Sequence, residues 1–312
     1  MRFKVSLLGL LLFVSMVPAA LAAENIQLDF NGKLAETSAK PVNKDGSVYV
    51  PIRVVEEIEG LTISSWDNAT KSLTIAQSGT DAALTLKVGE KTAQKGSQTI
   101  GMSQPAQVIN NRVMVPLRFV AEAFDADVAW NPDSKTVYVA KTTEQQKKSL
   151  HSGDLTAARL AALNLPRISS LPDLDFSGDS LGTWSIYFPE GEYKSFFSIS
   201  NQVISYYRIT DNAAQLIWEA ALALDAKQSK ESTFYAKGIF KEQGTRPEIK
   251  TNLVFYDIST HAGQAQYGRI HTDGTVEQLG TKEMNNLDEL FPIEEENAGV
   301  SPLRLEGTSG VK

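Results

Sequence analysis

The spacing of apolar and polar positions changes period several times along this chain, and each change marks an element. Ile26, Leu28 and Phe30 alternate with polar residues, the period of a half-buried strand, and Asn31-Gly32 behind them is a strong hairpin-turn signal. A second, polar strand at residues 33–38, a loop at Pro41 and the run Val48-Tyr49-Val50 follow. At Pro51, and again at Pro116, the period lengthens to that of a short helix, because proline cannot donate in a strand ladder yet suits a first helical turn. Leu117, Val120, Ala121 and Phe124 stand at i, i+3, i+4 and i+7, one apolar stripe to lay on a sheet. Val54, Ile58 and Leu61 do similar work in the earlier segment, with Gly60 as its terminator. Each helix leads to a strand ending in Trp66 or Trp130, a turn at 67–70 or 131–134, and a further strand at 72–76 or 136–140.

The unit is written twice. Residues 48–57 read VYVPIRVVEE and residues 113–122 read VMVPLRFVAE, while Gly32, Pro41, Trp66 and Lys71 are answered by Gly96, Pro105, Trp130 and Lys135. A copy that keeps its turn residues and its Trp is a duplicated supersecondary element. The V-P-[IL]-R core, the W-[DN] turn and the K-[ST]-[LV]-x-[IV] strand resemble the copper amine oxidase N-terminal domain, or stalk domain, of exported bacterial proteins. The resemblance spans residues 25–141, with 84–108 similar to the family's central hairpin region. It implies an appendage without chemistry of its own, since the oxidase's copper and tyrosine-derived cofactor belong to a separate, large catalytic domain. The chain has three histidines, His151, His261 and His271, and no Asn-Tyr-Asp/Glu triplet, so amine oxidation is excluded and no cofactor is expected.

The second half reads differently. The polar run 142–150 reads as a linker, and Asp154 caps a short helix over 155–163 that Pro166 ends. Alternation predicts strands at 183–188, 194–199, 203–209, 232–240, 249–258, 264–271 and 275–280. Asp211 is read as the cap of one main helix with Ala213, Leu216, Ile217, Ala220, Ala221 and Leu224 on its apolar face. The expected fold class is therefore α+β: a duplicated antiparallel β unit with one short helix per repeat, then a second antiparallel sheet domain with one main helix. The boundaries that follow are 1–23 leader, 24–141 stalk domain, 142–165 linker with a short helix, 166–293 α+β domain and 294–312 disordered tail.

Composition narrows the setting. Arg2 and Lys4 precede an apolar run over 5–17, Pro18 and a small-residue stretch, the form of a secretory signal peptide cleaved after Ala22 or Ala23. That run is shorter than the roughly 20 residues a membrane span needs. The chain has no cysteine, so each core must hold without disulfides. Loss of Arg2 and Lys4 takes the formal charge from −7 to −9. With no basic cluster, nucleic acid and anionic membranes are excluded as partners. A secreted or cell-surface, extracytoplasmic location is expected.

Candidate chemistry is sparse. Gly178-Asp179-Ser180-Leu181-Gly182 matches two serine-hydrolase patterns, but an alternating strand follows it where a helix is needed, and the partner blocks are missing. Asp173 to Gly178 begins like a calcium loop, yet Trp184 stands where the bidentate acid belongs. Arg53 and Arg118 each have a glutamate four residues on, Glu57 and Glu122, which reads as a helix-surface ion pair, with ligand binding as the alternative. Trp66 and Trp130 read as core residues at turns or as a stacking surface for sugars. The histidines show no metal-ligand spacing, although His261 and His271 could meet across strands. Adjacent aromatics at 187–188, 196–197 and 206–207 place one ring on each sheet face, so outer rings could form a binding surface. The expectation is a non-catalytic exported spacer or binding module at the cell envelope, recognising wall polysaccharide or an envelope protein, with Trp66, Trp130, Arg53 and Arg118 as its candidate surface. The rivals are a small hydrolase using Ser180 and an accessory that self-associates through edge strands.

Overall fold

A computed structural model describes residues 25–37, 39–176, 183–222, 238–259, 262–284, 290–293 and 296. The expected leader, Ser180 and His261 lie outside the described residues. The first domain begins with β1 (Gln27–Phe30), β2 (Lys33–Leu34), β3 (Val42–Lys44) and β4 (Ser47–Pro51), then a 3-10 turn, Ile52–Glu57. Next come β5 (Leu61–Asp67), β6 (Ser72–Gln77), β7 (Ala83–Lys87), β8 (Thr92–Lys95), β9 (Gln98–Gly101), β10 (Gln107–Ile109) and β11 (Arg112–Pro116). Helix α1 (Leu117–Ala123), β12 (Asp127–Asn131) and β13 (Thr136–Ala140) complete it.

Three antiparallel-rich sheets meet on one core. The two proline-ended strands pair with each other, Val50 opposite Val115, Pro51 opposite Met114 and Tyr49 opposite Pro116, and each carries a hairpin partner, β3 on β4 and β10 on β11. Strand β13 runs parallel to β1, so the first and last strands of the domain are neighbours in the order β12-β13-β1-β2. The third sheet has the order β5-β6-β7-β8-β9. Leu28, Val50, Ile75, Leu84, Val115 and Phe124, from all three sheets and α1, are buried in a single cluster. Asn31 and Gly32 have φ of 53° and 82°, the left-handed pair that a tight type I′ hairpin demands. Past the helices, Gly60 at φ 75° and Asp125 at φ 59° take the same left-handed turn, a conformation aspartate tolerates better than most side chains.

The second domain contains α2 (Glu144–Leu150), α3 (Leu155–Leu163), β14 (Arg167–Ser169), β15 (Thr183–Pro189), β16 (Ser195–Ser200) and β17 (Val203–Ile209). It continues with β18 (Ala214–Leu222), β19 (Ile239–Gly244), β20 (Leu253–Ser259), β21 (Gln264–Ile270) and β22 (Val276–Glu283). One sheet runs β14-β18-β17-β16-β15-β20-β21-β22, with β19 beside the later part of β18.

Four expectations are corrected here. The main helix read over 213–224 is strand β18. It is paired along one edge by β17 and along the other by β14 and then β19, and its residues are buried on both faces. A strand covered on both faces loses the polar alternation that would have revealed it, and tertiary pairing outweighs the helical preference of its alanines. The run 142–150, read as a linker, is mostly α2: Thr143 and Gln146 form a reciprocal capping box, and Leu150 is buried with Ala162 and Leu165 in the second domain's core. The aromatic pairs leave no outer rings at β15 and β16, because Phe188 and Phe196 are buried in one cluster and Tyr187 and Phe197 in another across the sheet. Full burial contributes about 1.5–3 kcal/mol per ring, so these residues stabilise the sheet from both sides.

Nor does Glu296 belong to a solvated tail. It is buried and bound by Arg159 and the Gly191 amide. The two domains are joined by a polar seam. Asn212, on the loop before β18, accepts from the Thr142 amide at 3.1 Å and donates to the Asp125 carbonyl at 2.7 Å. Thr210 donates to Asp127, and Ala140, Ile168 and Ala213 form a small buried cluster beneath. Among the described residues no helix is long and apolar enough to cross a membrane.

Candidate functional site

The proline that ends β11 starts α1 immediately, so Arg118 is lifted out on the first helical turn beside the antiparallel strand β12. Its guanidinium donates to the Val128 carbonyl at 3.2 Å and to Glu122 at 3.3 Å. The i,i+4 pair expected from the sequence is formed here, on an α-helix with 3.6 residues per turn. It is half exposed at both ends and is worth little in stability, about 0.3–0.5 kcal/mol. Arg53 makes no such pair with Glu57, because its segment is a 3-10 turn, whose three-residue period rotates the fourth residue off the same face. Glu56 instead accepts from the Ile63 amide.

Arg118 and Trp130 line one groove of about 450 Å³, walled by Phe119, Val128 and Pro116 and floored towards the β3-β4 hairpin at Ser47. Trp130 packs partly on the first domain's core and partly faces this groove, which suits a ring with both an apolar face and an N–H donor. Trp66 packs against the same core from β5, opposite Leu73, and neither it nor Arg53 lines the groove. The structure therefore brings together two of the four candidate residues. The groove offers an aromatic face and, in the Arg118–Glu122 ion pair that also lines it, a donor beside an acceptor, an assortment that can hold a polar ring. It holds no paired acid and base poised on a nucleophile.

The turns beyond the two tryptophans show how the sequence folds locally. Asp67 accepts from the amides of Ala69 and Thr70, and Asn131 accepts from those of Asp133 and Ser134. Both are Asx turns. Hydrogen bonds to the turn lower the Asp67 pKa. These residues, and all four candidates, fall within one matched span. Residues 29–139 match the copper amine oxidase N-terminal domain family. A copper amine oxidase N-terminal domain of this kind is a non-catalytic stalk-type module. The match ends one residue before Ala140, where the chain passes to the second domain. No curated protein matches the chain.

A second cavity, of about 290 Å³, lies where the stalk-type domain meets the second domain, between Asn131, Tyr138, Asp173, Phe176 and Glu219. Burial pushes the Glu219 carboxyl up, against the hydrogen bond it takes from Gln243. Sequence reasoning misses this site because its walls come from segments far apart in the chain, and Leu216 and Glu219 lie on β18, whose spacing reads as helical. Asp173, considered for calcium, instead accepts from Asn131 at 3.0 Å and fixes the seam. His151, which has no metal-ligand spacing in the sequence, sits between Tyr193 at 3.1 Å and Asp211 at 3.0 Å. Among the described residues no cluster of three metal-ligating side chains occurs.

Proposed function

We propose that this protein is an exported, non-catalytic binding module of the cell envelope, in which the stalk-type domain presents the Arg118–Trp130 groove to a wall polysaccharide while the second domain holds it at a fixed angle. The groove is the observation that carries the reading, because it joins a ring for stacking to a cation within one concave surface. The duplicated arrangement inferred from the sequence accounts for the antiparallel pairing of Val50 with Val115, and it leaves the second Trp-Arg pair free to specialise. The signal-like leader supplies the route out of the cell.

The test is co-sedimentation of the mature chain with purified cell wall. Arg118→Gln, at a half-exposed position, is expected to weaken binding about tenfold without loss of fold, and Trp130→Ala by at least as much. Trp66→Ala is expected to leave binding unchanged. Equal binding by Arg118→Gln and wild type, or no sedimentation of wild type at all, would end the proposal.

A further inference from the structure

The open side of the Arg118–Glu122 pair decides what the groove at Trp130 can take. Both hydrogens on Nη1 of Arg118 are in use, one on the Val128 carbonyl at 3.2 Å and one on the Glu122 carboxylate at 3.3 Å. The hydrogens on its Nε and Nη2 meet no acceptor among the described residues, and the Glu122 carboxylate takes no other donor among them. Both side chains are more than half exposed, so this edge is open to a ligand. The pair is also in register with the ring. Strand β12 is the outermost of its sheet, and Val128 and Trp130, two positions apart, set their side chains on one face of it. Arg118 is tied to the first of these residues, and the second lines the groove beside it. A flat ligand stacked on Trp130 therefore turns its rim towards a fixed donor with a fixed acceptor next to it.

That combination is selective. A carboxylate or phosphate only accepts, so it satisfies the guanidinium and is repelled by Glu122. An ammonium only donates and meets the opposite conflict. A secondary amide carries both functions, but in its trans form the N–H and C=O point opposite ways. Two hydroxyls on neighbouring ring carbons meet both demands from one edge, each through a hydrogen bond to a charged partner. We propose that the groove recognises a neutral sugar ring through two adjacent free hydroxyls, with the ring stacked on Trp130, Arg118 donating to one hydroxyl and Glu122 accepting from the next. The proposal rests on the reading of this groove as a wall-polysaccharide site and names the class of sugar it takes. Rings whose neighbouring positions are closed by a glycosidic link, an ether or an acetamido group are poor ligands.

Periodate supplies the test, because it cleaves the carbon–carbon bond between two carbons that both bear free hydroxyls and leaves an aldehyde on each. Purified cell wall is treated with periodate and then with borohydride, which reduces the aldehydes so that none traps a lysine, while a second portion receives borohydride alone. Co-sedimentation of the mature chain is measured on both. Binding to the oxidised wall is expected to be about tenfold weaker or more. Glu122→Gln, with unchanged circular dichroism, is expected to bind the unoxidised wall about tenfold more weakly than wild type and the oxidised wall no differently from wild type. Equal binding of wild type to the two walls overturns this inference and leaves the polysaccharide reading in place, as does undiminished binding by Glu122→Gln. No binding of wild type to the unoxidised wall overturns both.

Discussion

Replacing Asn212 by alanine is the sharpest probe of how the two domains are held together. The side chain is 5% exposed and serves both sides of the seam. Its Oδ1 accepts from the Thr142 amide at 3.1 Å and its hydroxyl at 3.2 Å, and its Nδ2 donates to the Asp125 carbonyl at 2.7 Å. Truncation strands these groups unequally. The Thr142 hydroxyl keeps a bond to the Asp211 carbonyl at 2.7 Å, and Asp125 is exposed, so water can reach its carbonyl. The Thr142 amide belongs to a residue only 4% exposed and is left bare. One unsatisfied buried donor costs about 1–3 kcal/mol, which becomes the expected loss for Asn212→Ala. For a domain of this size that lowers Tm by about 3–10 °C. Urea unfolding followed at Trp66 and Trp130 in one domain and Trp184 and Trp218 in the other should show the two transitions separating as the seam weakens. Asn212→Asp, which keeps the acceptor but sets a carboxylate against the Asp125 carbonyl, should be no milder. Unfolding of Asn212→Ala within about 0.5 kcal/mol of wild type, with coincident transitions, would refute the reasoning.

Two further outcomes follow from buried ionisable groups. Arg159→Met should cost about 3–5 kcal/mol by leaving Glu296 buried and unpaired, and adding Glu296→Leu should recover most of it; a double variant as unstable as the single, in urea denaturation, would show that the pair's charge is not the cause. Burial pushes the Tyr256 phenol up to about 12 and the Tyr187 phenol up as well, whereas an unfolded tyrosine ionises near 10. Between about pH 10 and 12 the unfolded chain therefore releases protons that the native chain keeps, and stability must fall as pH rises through that window. Urea midpoints measured from pH 8 to 11, with phenolate absorbance as the second readout, should show the decline, and a flat profile would contradict the burial argument.

What the sequence made legible is the structure whose local signals agree with its tertiary setting. The prolines end β4 and β11, α3 spans the residues its cap and the following proline bracket, and β17 begins and ends where alternation places it. Local and global signals part at β18, where alanines and leucines at helical spacing sit in a strand flanked on both edges. They part again at residues 142–150, whose polar face masks a capping box and one buried leucine. The T-x-x-Q pattern was there to be read. Glu296 was hidden for another reason: its partner Arg159 lies 137 positions earlier, and no periodicity links a lone acid in a charged run to a cation that distant.

The difference between Asp67 and Asn131 shows how much one atom can carry. Both residues follow a tryptophan, and both hold an Asx turn by accepting two backbone amides, a task either side chain performs. Only asparagine has an N–H to spare. Asn131 uses its Nδ2 to donate to the Leu171 carbonyl at 2.9 Å and to Asp173 at 3.0 Å, while Asp133 of the same turn accepts from the Asp173 amide at 3.1 Å. Asp67 faces solvent and needs no donor. The second turn is therefore committed to the seam, and the Trp130 that precedes it is held by a strand anchored to both domains. Trp66 precedes a turn with no such anchor. Of the two tryptophan–arginine sets, the one whose backbone is fixed from both sides is also the one that lines a groove, and a preorganised surface loses less entropy on binding.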